Sequence, residues 1–231
     1  LFSCKRIEKE SIIKSKHPLV NNLLSDLSDG YGEGLKWINK PKSFTTANGS
    51  LRVIVEKGTD FFNSPEDKTM TSTAPLLFKQ IEGDFVATAL LKPDFSSMWN
   101  AVAVMVHIDN ANWIKFAFEN SDATGRSIVS VVTREVSDDA NGAILNDQDQ
   151  VWLKVIRKEQ VYSMLWSLDG KVYKMARISS LPVVDTVKIG IEFQCPVGES
   201  ATHEVTFFGI EKMAVDGLGG GDSERMLVGV G

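Results

Sequence analysis

Along most of this chain apolar side chains recur at every second position, the period of an extended segment with one buried face. Leu51, Val53 and Val55 alternate with Arg52, Ile54 and Glu56. The same period marks Leu76 to Lys79, Phe85 to Lys92, Ala101 to Ile108, Trp113 to Glu119, Ser127 to Val136, Val151 to Arg157, Val161 to Leu168, Lys171 to Ile178, Val187 to Cys195 and Val205 to Met213. About ten or eleven short strands are predicted. Turn residues separate them: Asp169-Gly170 is a strong hairpin signal, Asp109 to Asn112 a looser one, and Gly49, Gly58, Gly83 and Pro93 punctuate other strand ends. No amphipathic helical pattern interrupts the series after residue 35. The fold class is therefore all-β, with two antiparallel sheets packed face to face or closed into a barrel.

Alternation also sorts side chains by face. In the Val187 strand, Val187, Ile189, Ile191, Phe193 and Cys195 point to the core, which leaves Glu192 and Gln194 outside. In the stretch VMVHIDNANWIKFAFEN, Ile114, Phe116 and Phe118 belong inside, so Trp113, Lys115, Ala117 and Glu119 share the outer face, with His107 on the preceding strand. Trp166 falls in an inward set with Tyr162, Met164 and Leu168, Trp37 and Trp99 lie where they could line a rim, and Trp152, like Trp113, could either meet a ligand or pack under a loop.

The period marks the domain limits as well. Residues 1–32 are rich in Lys, Ser, Asp and Asn, with one apolar patch at helical spacing formed by Leu19, Val20, Leu23, Leu24 and Leu27. They read as a tether with one optional helix. Residues 33–215 carry the sandwich, and 216–231, with Gly217, Gly219, Gly220 and Gly221, read as a flexible tail. Leu1-Phe2-Ser3-Cys4 before Lys5 and Arg6 resembles the end of a bacterial lipoprotein signal. Cys4 would then carry the lipid and hold the protein at the cell envelope or outside the cell; the alternative is an incidental Cys in a cytoplasmic protein.

Composition narrows the function classes. A hydrophobic content of 43% supports a real core, and 231 residues suit one all-β domain with tails. The formal net charge is −5 with no long basic block, which argues against nucleic acid as a partner. No apolar run approaches the ~18 residues of a membrane span. Cys4 and Cys195 lie almost a chain length apart and do not indicate a disulfide.

Seven short motifs, in order, resemble one known domain: Leu35 to Pro41, Gly58 to Phe62, Gly83-Asp84-Phe85, Asp109 with Trp113-Ile114-Lys115, Ser130 to Thr133, Ser167 to Gly170, and Gly190 before Cys195-Pro196. Between about Leu35 and Val215 the chain resembles the regulation-of-enolase-like domain of unknown function, in the concanavalin A-like lectin/glucanase superfamily. The resemblance implies a jelly-roll sandwich of two curved antiparallel sheets, with relatives among sugar-binding domains and glycosidase accessory domains. Phe62 stands where the family usually has Trp or Tyr, so it keeps the ring without the polar handle.

The residues favour binding over catalysis. The superfamily's glucanases use a Glu-x-Asp-x-x-Glu strand for their two carboxylates, and the chain has no such strand. A hydrolase with another carboxylate pair stays open, with Asp60, Asp109, Glu119 and Glu192 as the acids to inspect. No Gly-x-Ser-x-Gly elbow occurs, His17, His107 and His203 are scattered, and zinc would need clustered Cys and His. No cofactor or metal ligand set is indicated; calcium has one weak opening, because Asp138, Asp139, Asn141, Asp147 and Asp149 crowd one connection without an EF-hand pattern.

The leading expectation is a non-catalytic, lectin-like domain that binds a glycan or oligosaccharide. Its candidate ligand-binding residues are Trp113, Lys115, Glu119, Glu192, Gln194, Arg177, His107, Asp60 and Asp109. A regulatory or scaffolding module with a protein partner is the second reading, and a glycoside hydrolase the third.

Overall fold

A computed structural model describes residues 21–27, 32 and 34–213. Those residues form sixteen strands and no helix. In chain order the strands are β1 (Lys36–Ile38), β2 (Ser43–Ala47), β3 (Ser50–Glu56), β4 (Phe61–Asn63), β5 (Met70–Ser72), β6 (Leu76–Glu82), β7 (Phe85–Lys92) and β8 (Ala101–Asp109). They continue with β9 (Asn112–Ser121), β10 (Gly125–Arg134), β11 (Val136–Ile144), β12 (Val151–Lys158), β13 (Val161–Ser167), β14 (Lys174–Ser180), β15 (Thr186–Gln194) and β16 (Ser200–Lys212). One seven-stranded antiparallel sheet has the order β1-β6-β15-β8-β9-β10-β11, and a second has the order β14-β13-β12-β7-β16-β3-β2. The protein is the expected β-sandwich.

The inward set of each sheet makes one continuous core. Val102, Val104, Val106, Ile114, Phe116, Phe118, Ile189, Ile191 and Phe193 of the first sheet meet Val53, Ala87, Ala89, Leu153, Tyr162, Met164 and Phe208 of the second. The sandwich thus buries the apolar positions that the period-two pattern marked. Leu24 and Leu27 also belong to this core. Asn22 holds that segment to the second sheet: its side chain donates to Gly49 O and Thr206 O and accepts from the Phe208 amide. Packed chain therefore begins before residue 33, and residues 23–26 make a turn where helical spacing led us to expect a helix. Cys4, His17 and the 216–231 tail lie outside the described residues.

Three local expectations need correction. The connection that crowds Asp138, Asp139 and Asn141 is strand β11, hydrogen-bonded to β10 with Val131 opposite Asp139. It is an edge strand, and polar residues there are what keeps an open edge from pairing with another chain. The Asp169-Gly170 turn is wider than a two-residue hairpin, because Asp169 Oδ1 accepts from the amides of Lys171 and Val172 and so holds back the start of β14. Leu168, expected inside, is exposed because its strand stops at Ser167.

One glycine fixes how closely β6 and β15 approach. A Cβ at Gly190 would lie 2.1 Å from the carbonyl oxygen of Leu77. Gly190→Ala should destabilise the fold by about 1–3 kcal/mol through overpacking, read as a lower urea midpoint with an unchanged m-value.

Candidate functional site

The outer face of the first sheet holds the site, and strand register shows how. Gln194 of β15, Ala101 of β8, Glu119 of β9 and Ser127 of β10 form one row across the strands. The next row on that face is Glu192, Ala103, Ala117, Val129 and Asn141, and the one after is Gly190, Met105, Lys115, Val131 and Asp139. Ala101, Ala103 and Ala117, the small residues of these rows, are fully buried. Lys188, His107, Trp113, Thr133 and Ser137 form the last row.

The face is only half open, because the β4-β5 hairpin folds over the last row. Phe61 of β4 packs edge-on against Trp113 at 6.1 Å and against His107 at 5.8 Å between ring centroids. With Ala74, Leu76, Phe78, Ala101, Ala103, Met105, Ala117, Val129 and Val131 it builds a second, smaller apolar cluster. Asn63 and Ser137 lock the hairpin down: the Asn63 amide donates to Ser137 Oγ, and its side chain donates to Asn110 O and Glu135 O.

What remains open is a pocket of about 480 Å³ lined by Asp60, Phe62, Glu66, Trp99, Lys115, Glu119, Asp122, Val131, Asp139 and Gln194. Lys115 organises its floor. The ammonium, whose side chain is 3% exposed, donates to Asp60 Oδ1 at 2.8 Å, Phe61 O at 2.9 Å and Gln194 Oε1 at 2.7 Å. All three of its N–H groups are thereby used. Burial alone would lower its pKa, but Asp60, Glu192 and Glu119 outweigh that and hold it above the usual lysine range.

Gln194 passes this order to the rim, for its Nε2 donates to Trp99 O at 2.7 Å. The Trp99 amide donates to Asn120 O, also at 2.7 Å. Held at both ends, Trp99 adopts a left-handed backbone with φ of 60°, costly for a bulky residue, and leaves its side chain 37% exposed at the pocket mouth. Residues kept in such conformations cluster at ligand clamps, because the surroundings must over-determine them.

The acids divide by depth. Burial pushes the Glu119 carboxyl up to about 8, although Lys115 pulls the other way. Glu192, wholly buried under the floor, is also pushed up to about 8 by burial, and neither of its oxygens has a hydrogen-bond partner. Burial raises Asp139 as well. Glu119 and Glu192 thus share the charge of Lys115 in a dry setting that favours their protonated forms, while Asp60, Glu66, Asp122 and Asp139 line the opening.

Of the nine residues expected to bind ligand, the structure brings Asp60, Lys115, Glu119 and Gln194 together around the pocket and sets Glu192 below it. The other four are placed differently. Trp113 shares the face of Lys115 and Glu119 as expected, but it is 0% exposed beneath Phe61, with Nε1 donating to Asn110 O. His107 is buried beside it, with Nε2 3.4 Å from Asn110 Oδ1. Asp109 closes the β8-β9 turn by accepting from the Ala111 amide and the Asn112 side chain. Arg177 belongs to the second sheet and ties its edge to the first, donating to Asp138 Oδ2 at 2.7 Å and to Ser130 O. Trp99, Phe62, Glu66, Asp122 and Asp139 complete the pocket. Among them Trp99 carried a sequence signal as an aromatic beside a turn, Phe62 as the family's aromatic position and Asp139 as one of a crowded set of acids, while Glu66 and Asp122 carried none.

Similar proteins share this architecture. The yeast (Saccharomyces cerevisiae) protein named "Regulation of enolase protein 1" is 25% identical over 172 residues, which span 74% of this chain and 84% of that protein. A crystal structure of a functionally unknown S. cerevisiae protein superposes with a TM-score of 0.73 at 22% identity, covering 79% of this chain and 98% of that one. The GH43 protein BlXynB of Bacillus licheniformis matches with a TM-score of 0.63 at 15% identity, covering 83% of this chain but 39% of that one. Lectin I-B4 from Griffonia simplicifolia matches with a TM-score of 0.53 at 11% identity, covering 84% and 97%. At such identities the solved structures establish the concanavalin A-like fold and nothing further. Residues 37–213 match the family described as "Protein of unknown function (DUF1349)", and since this is well over half of the chain, the chain belongs to that family.

Proposed function

We propose that the pocket on the outer face of the first sheet binds a carbohydrate without transforming it. The observation that carries this reading is Trp99, a large ring held half-exposed at the pocket mouth by a left-handed backbone and two 2.7 Å hydrogen bonds. An aromatic ring offers a surface to the apolar C–H face of a sugar, and Phe62 adds a second ring to the lining. Gln194, Asp60, Glu119 and Asp139 provide the polar groups that hydroxyls need for orientation. The lectin and the GH43 protein among the structural neighbours support the same reading.

Trp99→Ala should weaken binding to the best ligand on a glycan array at least tenfold, about 1.4 kcal/mol. Its thermal unfolding should stay within a few degrees of wild type, since the side chain is partly exposed. A wild-type protein that retains no glycan, or a W99A variant that binds as well as wild type, rules the reading out.

One observation favours a glycoside hydrolase instead. A carboxyl raised to about 8 and opening on a pocket, as Glu119 does, suits a general acid. Release of the aryl group from aryl glycosides by the wild type, and its loss in Glu119→Gln, would establish that reading.

A further inference from the structure

The charge around the pocket is lopsided. Asp60, Glu66, Glu119, Asp122 and Asp139 contribute carboxyls, and the one cation, Lys115, has every N–H committed to Asp60, Phe61 O and Gln194. No salt bridge within the described residues reaches Glu66, Asp122 or Asp139. A neutral ligand has no use for such a field, whereas an ammonium ion does.

A second observation points the same way. Glu119 is 6% exposed, lines the pocket, and has no hydrogen-bond donor among the described residues. Nine-tenths buried, its carboxyl meets solvent only on the pocket side and has no hydrogen-bond partner among those residues, so a donor entering from the pocket would find it free to accept. A metal ion is a poor candidate for that donor, because no three Asp, Glu, His or Cys groups among the described residues converge closely enough to share one. The exposed ring of Trp99 adds a face that attracts a cation.

Building on the carbohydrate reading, we propose that the ligand is a sugar with a free protonated amine, a hexosamine unit lacking its N-acetyl group. The ammonium sits against Glu119 with Asp122 and Asp139 beside it, and the ring lies on Trp99. Binding an ammonium there favours the ionised form of Glu119. The charged groups that act on Glu119 are Lys115 on its own strand, Asp139 on β11, Asp60 before β4 and Asp122 in the β9-β10 turn. At pH 5.5, where the amine is already protonated and needs no proton from the buffer, uptake of the ligand should therefore release the proton of Glu119.

The test compares three β-1,4-linked tetrasaccharides by isothermal titration at pH 5.5 in two buffers of different ionisation heat: glucosamine, N-acetylglucosamine and glucose tetramers. The amine tetramer should bind at least tenfold tighter than the other two, with proton release, and should weaken as salt is raised. Asp122→Asn combined with Asp139→Asn, at positions on the pocket wall, should remove at least tenfold of that affinity and most of its salt dependence. Equal or tighter binding of a neutral tetramer overturns the amine inference and leaves the carbohydrate reading standing. Binding of none of the three, with W99A indistinguishable from wild type on a glycan array, overturns both. Calcium chloride that titrates into the sugar-free protein and is lost in the double variant overturns the amine inference in favour of a cation.

Discussion

Lys115→Met should lower the free energy of unfolding by about 3–5 kcal/mol, the usual cost of removing one partner from a buried, hydrogen-bonded charge network. For a domain of this size that corresponds to a fall in Tm of roughly 6–20 °C. Methionine fills much of the space of the lysine stem, so packing is not the main loss. What goes is the ammonium that donates to Asp60 Oδ1, Phe61 O and Gln194 Oε1 in the floor of the pocket. Once Gln194 Oε1 loses its partner, the amide is free to turn, and the hydrogen bond from its Nε2 to Trp99 O goes with it. The strained backbone of Trp99 then loses one of its two tethers. K115M should therefore lose ligand binding under conditions where it is still folded, and the fluorescence of Trp99 should change. Asp60→Asn is the milder companion, because Asp60 is partly open to water and an amide oxygen can still accept from Lys115. A K115M protein within 1 kcal/mol of wild type in urea unfolding would mean that the network is not what holds the floor.

The period-two pattern reads some parts of this protein well and is silent on others, for a definable reason. It predicts β7 at both ends and sorts β9 and β15 onto the correct faces, because each of those strands has a core side made of Val, Ile, Leu and Phe. Lys115, Glu119, Glu192 and Gln194 follow from that sorting alone. Alternation says which side a residue faces but not what lies above that side. Trp113 and His107 face outward from their sheet and are nonetheless dry, since a hairpin of two three-residue strands, too short to show any period, covers them. Arg177 fails for a related reason: strand order puts β14 at the edge of the opposite sheet, and pairing across the chain leaves no local mark. β11 escapes because an edge strand exposed to water has no apolar side to betray it. The sequence places Trp99 near a rim, as it does Trp37, without choosing between them; its φ and its two backbone partners, which are facts of tertiary structure, single it out.

Raising the pH from 6.5 to 8 should cost the fold on the order of 2 kcal/mol for each of its two deeply buried glutamates, at about 1.4 kcal/mol per pH unit per group. Burial pushes Glu119 and Glu192 from the ordinary 4.5 up to about 8. Between those values the folded chain keeps protons that the unfolded chain has given up, so stability falls as pH rises through the window and levels off above it. Buried His203 acts in the opposite sense at lower pH. Burial lowers it from 6.5 to about 4, with Nε2 near Gln194 O and Nδ1 accepting from the Asp94 amide. There the unfolded chain binds the extra proton, and stability is lost as pH falls from 6.5 toward 4. Above 6.5 the histidine contributes no slope and the two glutamates set the profile. Glu192→Gln separates them, because glutamine matches the shape of the neutral acid and cannot ionise. Its stability in urea should fall between pH 6.5 and 8 by about half as much as wild type, so that the variant is the more stable protein at pH 8 and the gain vanishes below the ordinary 4.5. Parallel wild-type and E192Q profiles would show that Glu192 is already ionised in the folded state, and that Lys115 is shared among more carboxylates than its hydrogen bonds indicate.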